Sequence, residues 1–128
     1  MVKIFLISLS KVIIMRTIKY NLIDPNSSIL ENRLFFEDNY PFTLHIYFDN
    51  DHYQVYETDA KIISILCHIP ITERRVLFGK SMIKSVVMML KHYKINYSLI
   101  NINKKVYEIN DYLSENGYLK FINNNKNN

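Results

Sequence analysis

Along the first half of the chain, hydrophobic residues recur at every second position in some segments and at helical spacing in others. Residues 16–23, RTIKYNLI, alternate and are rich in strand-forming residues, so we expect a strand there. Apolar residues at helical spacing predict a helix over residues 28–38, which ends before Pro41 because the residue preceding a proline leaves the helical region. Three further β-rich segments, FTLHIYF, YQVYE and AKIISILCHIPI, predict an antiparallel meander over residues 42–71.

The second half of the chain changes period several times. Apolar residues at helical spacing predict a helix over residues 80–93, and NYSLINI at 96–102 predicts another strand. The helical period then returns and indicates a helix over residues 103–116, with Gly117 as its left-handed C-terminal cap. YLKF at 118–121 is expected to be a last short strand.

This order of elements predicts an α/β (α+β) fold. We expect a single domain over residues 1–128, with a mixed, mostly antiparallel sheet covered by about three helices. Residues 1–14 are a possible extra N-terminal strand, and the polar residues 122–128 are expected to form a disordered tail.

Composition narrows the classes of partner. The net charge of +4 favours an anionic partner, but only four of the 16 basic residues are arginine, which argues against a nucleic-acid binder.

Cys67 is the only cysteine, so no internal disulfide forms and a reducing, cytoplasmic compartment is expected. The N-terminal apolar segment is interrupted by Lys11 and is shorter than the ~20 apolar residues of a membrane span. The richness in Ile, Asn, Lys and Tyr is typical of an AT-rich genome and fits a viral origin.

Residues 73–86, ERRVLFGKSMIKSV, resemble two phosphate-binding motifs. A Walker A loop requires glycine six residues before its lysine, and that position is Arg74, so this motif is rejected. A coenzyme A signature, Arg/Gln-x-x-Gly-x-Gly/Ala, matches at Arg74 and Gly79 but has Leu77 in place of its first glycine. Positive charge at the start of the following helix would favour a bound diphosphate.

Taken together, these segments resemble the GNAT superfamily of acyl-CoA-dependent N-acyltransferases. LCHIPITERRVLFGKSMIKSVV resembles the strand, loop and helix of its coenzyme A signature, and INYSLININKKVYEINDYLSENGYLKF resembles the segment that follows. The resemblance implies a fourth strand at 62–69 and a fifth at 97–102 that admit the pantetheine arm, and a loop at 74–81 that holds the pyrophosphate of acetyl-CoA. The cofactor-binding residues that it implies are Cys67, His68, Ile69, Arg74, Arg75, Leu77, Gly79, Lys80 and Ser81.

Four residues are candidates for catalysis in this family resemblance, with Asp59 as the alternative to Glu57. His68 would end the fourth strand beside the thioester, where its near-neutral pKa suits a general base. Glu57, or Asp59 beside it, could be the base instead. The family's tyrosine acid falls on Leu113, so the adjacent Tyr112 would protonate the leaving thiolate only if the helix register slipped by one residue.

Two functions follow as expectations. The first is an acetyl-CoA-dependent N-acyltransferase acting on an amine of a protein, peptide or small molecule. The second is a catalytically inactive GNAT-like binding or inhibitory protein of a virus, which the leucine at 77 and the absence of the family's two C-terminal strands after YLKF favour. We also expect a homodimer formed beside residues 97–121, where a strand edge would be left bare, with residues 1–14 as the rival cover.

Overall fold

The computed structural model describes residues 13–19, 29–112 and 117–125, which form six strands and four helices. The strands are β1 (Ile13–Lys19), β2 (Leu44–Asp49), β3 (His52–Tyr56), β4 (Arg75–Gly79), β5 (Tyr97–Asn101) and β6 (Val106–Tyr112). The helices are α1 (Ile29–Asn39), α2 (Glu57–Cys67), α3 (Ile83–His92) and α4 (Gly117–Asn125), with a 3-10 turn at Lys80–Met82 before α3.

The described strands form one sheet in the order β1-β6-β5-β2-β3-β4. Strands β2 and β5 run parallel, with Leu44 opposite Tyr97, and the other neighbouring pairs are antiparallel. The predicted α+β fold with a mixed, mostly antiparallel sheet is therefore confirmed.

Each face of the sheet carries its own core, because successive side chains of a strand point to opposite faces. Helices α2, α3 and α4 pack on one face through buried residues that include Ala60, Ile63, Val86, Leu90 and Phe121. Helix α1 packs on the other face, where Phe36 belongs to a buried cluster with Tyr47, Ile100, Tyr107 and Ile109. The two layers leave a gap at the end of the sheet where β2 begins and β3 ends.

The predicted strand within residues 60–71 is wrong, because residues Glu57–Cys67 form helix α2. Its buried residues recur at the helical spacing of three, at positions Ala60, Ile63 and Leu66. Glu57 and Asp59 lie in its first turn, where negative side chains are favoured by the helix dipole. The fourth strand that the family resemblance placed at 62–69 is therefore absent from this position.

The predicted loop at 74–81 is also wrong, because most of it is strand β4. Val76 and Phe78 are buried and alternate with Leu77, which is 45% exposed, as the period of two in a strand requires. Only Lys80–Met82 at its end turns toward α3.

The helix predicted at 103–116 and the strand predicted at 118–121 are both wrong, because the first segment contains a strand and the second lies in a helix. Residues Val106–Tyr112 form β6, which pairs with both β5 and β1, whereas YLKF lies inside helix α4. Gly117 consequently begins a helix rather than capping one, and neither glycine of the chain has a positive φ. Residues 122–125, expected in a disordered tail, belong to α4.

The remaining elements agree with the sequence pattern. The helix predicted at 28–38 is α1, the helix predicted at 80–93 is the 3-10 turn with α3, and the strand predicted at 96–102 contains β5. The first two strands of the meander are β2 and β3. Of the expected N-terminal strand, residues 13 and 14 belong to β1, and residues 1–12 lie outside the described residues, as do residues 126–128.

The strand edge on which the dimer was predicted is not bare. Strand β5 pairs with β2 on one side and β6 on the other, and β6 pairs with β1. The segment beginning at Ile13 therefore covers this edge within one chain, and the homodimer stays a prediction without that support. Among the described strands, β1 and β4 are the outer ones.

Candidate functional site

A cavity of about 490 Å³ occupies the end of the sheet where β2 begins and β3 ends. Helix α1, the first turn of α2 and helix α4 close around it. Its charged and hydrogen-bonding side chains include Arg33, Glu37, His45, Glu57, Asp59 and Tyr118. Ligand pockets of about 300–1,000 Å³ are typical for small molecules, so this cavity has the size for one.

Asp59 lies in this cavity with both carboxylate oxygens engaged. Its Oδ2 accepts the backbone N–H of His45 at 3.0 Å, and the hydroxyl of Tyr118 lies 2.5 Å from its Oδ1. Part of the residue is exposed, but burial of the carboxyl group raises the pKa of Asp59 from its ordinary value of 3.8 to about 7, against the lowering effect of these two hydrogen bonds. Near neutral pH the side chain is therefore present in both protonation states.

Gly117 is what allows Tyr118 to reach Asp59. Its N–H donates to the carbonyl of Lys94 at 3.1 Å, and a Cβ at this position would collide with the backbone of Tyr93 and Lys94. Only glycine permits helix α4 to start so close to the segment that follows α3. The close approach places the Tyr118 hydroxyl on the carboxyl group, which lies 59 residues away in the sequence.

His45 is a buried, neutral part of the site. Its Nε2 lies 3.1 Å from the carbonyl oxygen of Tyr40, which can only accept, so Nε2 carries the proton. Its Nδ1 then accepts from the hydroxyl of Ser98 at 2.7 Å. Burial lowers the pKa of His45 to about 4, so the ring holds the start of β2 in place and does not act as a base near pH 7.

The mouth of the cavity is formed by ion pairs that are longer than hydrogen bonds. The guanidinium of Arg33 lies 3.8 Å from Glu37 and 4.0 Å from Glu57, and Arg74 lies 3.9 Å from the other oxygen of Glu57. The guanidinium carbon of Arg33 sits 4.2 Å from the centre of the Tyr56 ring.

The hydroxyl of Tyr47 is buried without a hydrogen-bond partner among the described residues, and burial raises the pKa of Tyr47.

Three of the four catalytic candidates are not brought together. Glu57 lines the cavity as the first residue of α2, whereas His68 follows the last residue of that helix, roughly 16 Å away at 1.5 Å per residue. His68 is exposed, adopts a left-handed conformation as the C-terminal cap, and borders a second cavity of about 510 Å³ between α2, α3 and α4. Tyr112 is buried in β6, and its hydroxyl points to the carbonyl of Lys91 at 3.4 Å.

The predicted cofactor residues are divided in the same way. Cys67, His68 and Ile69 lie at the C-terminal end of α2, and burial raises the pKa of the Cys67 thiol. Arg74 and Arg75 lie at the cavity end of β4, where Arg75 pairs with Tyr56. Leu77, Gly79, Lys80 and Ser81 extend along and beyond the strand, away from the cavity. An extended strand does not converge its N–H groups on one point, so it does not form the cradle that a diphosphate requires.

The sequence pattern missed three residues of the site, Tyr118, His45 and Arg33. Tyr118 was assigned to a strand, although its spacing with Phe121 and Ile122 is helical and could have indicated a helix. Arg33 is a polar position in the middle of α1 with no motif around it. Asp59 was considered only as the alternative to Glu57, and the two acids at positions 57 and 59 in the first turn of α2 were the available signal.

Comparisons with known proteins identify no family. No protein-family model matches this chain, and no curated protein matches its sequence. Within residues 13–19, 29–112 and 117–125, no group of three or more metal-ligating side chains could hold an ion. In the same ranges no helix combines the length and the apolar character needed to cross a bilayer.

Proposed function

We propose that this protein binds a small polar substrate in the cavity and acts on it by general acid–base catalysis, with Asp59 moving the proton. One observation carries the proposal: a carboxyl group with a pKa of about 7 lies in a cavity large enough for a ligand. A proton-transfer group works best when its pKa is close to the working pH, because both forms are then available.

The hydrogen bonds around Asp59 leave room for a substrate. Each carboxylate oxygen has two lone pairs, and the bonds from His45 and Tyr118 occupy one on each oxygen. Tyr118 remains a donor because burial and the neighbouring carboxyl raise its pKa. A substrate N–H or O–H can therefore approach either oxygen while the carboxyl stays fixed in orientation.

The test is a direct measurement of the Asp59 pKa. Carbon-13 NMR titration of the side-chain carboxyls should contain one resonance that titrates near pH 7 in the wild type and is missing in Asp59→Asn. Asp51→Asn is the control, since Asp51 is exposed and its hydrogen bond from His52 holds its pKa below the ordinary value. If no carboxyl titrates above about pH 5, this function is excluded.

N-acyl transfer from acetyl-CoA is the second candidate. A base with a pKa near 7 suits the removal of a proton from an acceptor amine, and Arg74 lies 3.9 Å from Glu57 of the cavity lining. Thermal shift with acetyl-CoA against ATP tests it, because a ligand at 100 times its dissociation constant stabilises a protein by about 2.7 kcal/mol. Arg74→Ala should reduce that shift. Absence of coenzyme A binding by calorimetry at millimolar ligand would end this candidate.

The inactive binding protein differs from both enzymes in one respect. It would bind its ligand in the same cavity without proton transfer. Asp59→Asn would then keep the ligand affinity of the wild type, and neither protein would turn the ligand over. Comparing the two proteins with any ligand found by thermal shift separates binding from catalysis.

A further inference from the structure

We propose that the ligand of the cavity carries an oxyanion, a carboxylate or a phosphate, and that Arg33 at the mouth binds it. This inference rests on the proposed function in that it takes the cavity to be a ligand site. It adds the chemical class of the ligand and the residue that selects it.

The guanidinium of Arg33 is fixed in position before any ligand arrives. Its side chain is 16% exposed and rises from α1 toward the first turn of α2. The guanidinium carbon lies 4.2 Å from the centroid of the Tyr56 ring, a contact that orients the planar group. A pre-oriented guanidinium loses less conformational freedom when it forms the two parallel hydrogen bonds that an oxyanion accepts.

The donors of Arg33 are not satisfied by the residues around it. Its Nε is buried and has no hydrogen-bond partner among the described residues. The nearest carboxylate oxygens, of Glu37 and Glu57, lie 3.8 and 4.0 Å away, which is beyond hydrogen-bonding distance. Because Nε has almost no accessible surface, an oxyanion in the cavity would bond to the terminal Nη2, whose two nearest acceptors are these long contacts.

Glu57 is the residue that such an oxyanion would displace. Its side chain is 48% exposed and lies 3.9 Å from Arg74, so its two ion pairs are long and screened by water. Arg33 is the one cation among the described residues that line the cavity, and Glu37, Glu57 and Asp59 are its acids, so the lining carries no excess of positive charge. The preference for an oxyanion therefore comes from the open donors of Arg33 and not from an excess of positive charge.

The test is calorimetric titration with sodium phosphate and with sodium acetate at pH 7, at constant ionic strength. We expect wild type to bind at least one of them. Arg33→Gln should weaken that binding about tenfold or more, which corresponds to the ~1.5–3 kcal/mol of a hydrogen bond to a charged group. Lys84→Gln is the matched control, because Lys84 is exposed on α3 and its loss changes the net charge equally. The anion affinity of Lys84→Gln should stay within about twofold of wild type, because salt screens the interaction between an exposed surface charge and the bound anion.

Two further variants keep the inference open to refutation. Arg33→Lys retains the charge and the stem but loses the fork, so it should also weaken binding even if Arg33→Gln fails to fold. Glu57→Gln removes the competing carboxylate and should tighten binding about threefold, on the scale of an exposed ion pair. Equal affinity in wild type and Arg33→Lys would overturn the inference. So would the absence of binding of either anion at 50 times a dissociation constant of ~1 mM, the value expected of a single weak site. The NMR pKa of Asp59 is independent of these titrations, so either idea can fail alone.

Discussion

Asp59 and His45 are expected to make the stability of this protein depend on pH in opposite directions. The two residues share the backbone hydrogen bond from His45 to the carboxylate, but their side chains titrate in different surroundings. Replacing Asp59 by Asn separates the two effects. The amide can still accept from His45 through its oxygen and bond to Tyr118 through its nitrogen, so the change removes the titration and keeps the contacts.

The contribution of Asp59 follows from its raised pKa. Below pH 3.8 the carboxyl is protonated in the folded and the unfolded chain, and its contribution to stability is fully present. As the pH rises toward 7 the unfolded chain ionises while the folded chain retains the proton, so stability is lost. A difference of about three pKa units at 1.36 kcal/mol each gives a loss of ~4 kcal/mol by pH 8.

The contribution of His45 has the opposite sign because its pKa is lowered. Above pH 6.5 the ring is neutral in both states, and its contribution to stability is fully present. As the pH falls toward 4 the unfolded chain takes up a proton that the buried ring excludes. The lowering of about two and a half units gives a loss of ~3 kcal/mol on acidification.

The two terms nearly cancel in the wild type. Between pH 4 and pH 8 these two residues together should change its free energy of unfolding by only ~1 kcal/mol. In Asp59→Asn the histidine term stands alone, so the free energy of unfolding should rise by ~3 kcal/mol between pH 4 and pH 6.5. The variant should also be the more stable protein at pH 8.

Urea unfolding at half-unit steps from pH 4 to pH 8 measures this difference. Titrations shared by both proteins cancel when the variant curve is subtracted from the wild-type curve. Asp51→Asn should give a curve parallel to wild type at and above pH 5, because Asp51 is fully exposed and stays ionised there. Parallel curves for wild type and Asp59→Asn would refute the raised pKa and the cavity's acid–base role with it.

Three other substitutions test the surroundings of the site. Tyr118→Phe removes a hydrogen bond that lowers the pKa of Asp59, so that pKa should rise further by NMR, and a buried oxygen left unbonded should cost ~1–3 kcal/mol in urea unfolding. Leu77→Gly should cost only ~1 kcal/mol, since Leu77 is 45% exposed on an outer strand, and a loss of several kcal/mol would show that it is covered. Gly117→Ala should greatly lower the melting temperature because its Cβ collides with backbone, whereas Gly79→Ala, with no atom within 4 Å of its Cβ, should leave it nearly unchanged.

Local spacing was sufficient for five of the described elements. Helices α1 and α3 and strands β2, β3 and β5 follow from it. It failed in segment 57–67 because a run rich in isoleucine suits a buried strand as well as a helix, and the acids in the first turn were given too little weight. It failed in β4 because a partial motif outweighed the short apolar run Val76, Leu77 and Phe78, whose alternating burial is visible only in the structure.

The site itself depends on contacts between distant parts of the chain. Asp59 and Tyr118 are 59 residues apart, and His45 and Ser98 are 53 residues apart. The wrong assignment of residues 118–121 to a strand was enough to hide the first contact. The raised pKa of Asp59 could not be predicted either, because burial depends on how α1, α2 and α4 close the end of the sheet.

The choice of a carboxyl at position 59 is the strongest argument that the cavity has a chemical role. An asparagine there could bond to both neighbours, accepting from the His45 N–H and donating to the Tyr118 hydroxyl, and it would not lose ~4 kcal/mol of stability above pH 7. That loss is a large fraction of the ~5–15 kcal/mol that stabilises a typical domain. A group that destabilises its own fold at neutral pH, inside a cavity of about 490 Å³ and beside an arginine with open donors, has the properties of a functional acid or base. Asp59→Asn should therefore be the more stable protein and the one without activity, and an active Asp59→Asn would separate this carboxyl from the function.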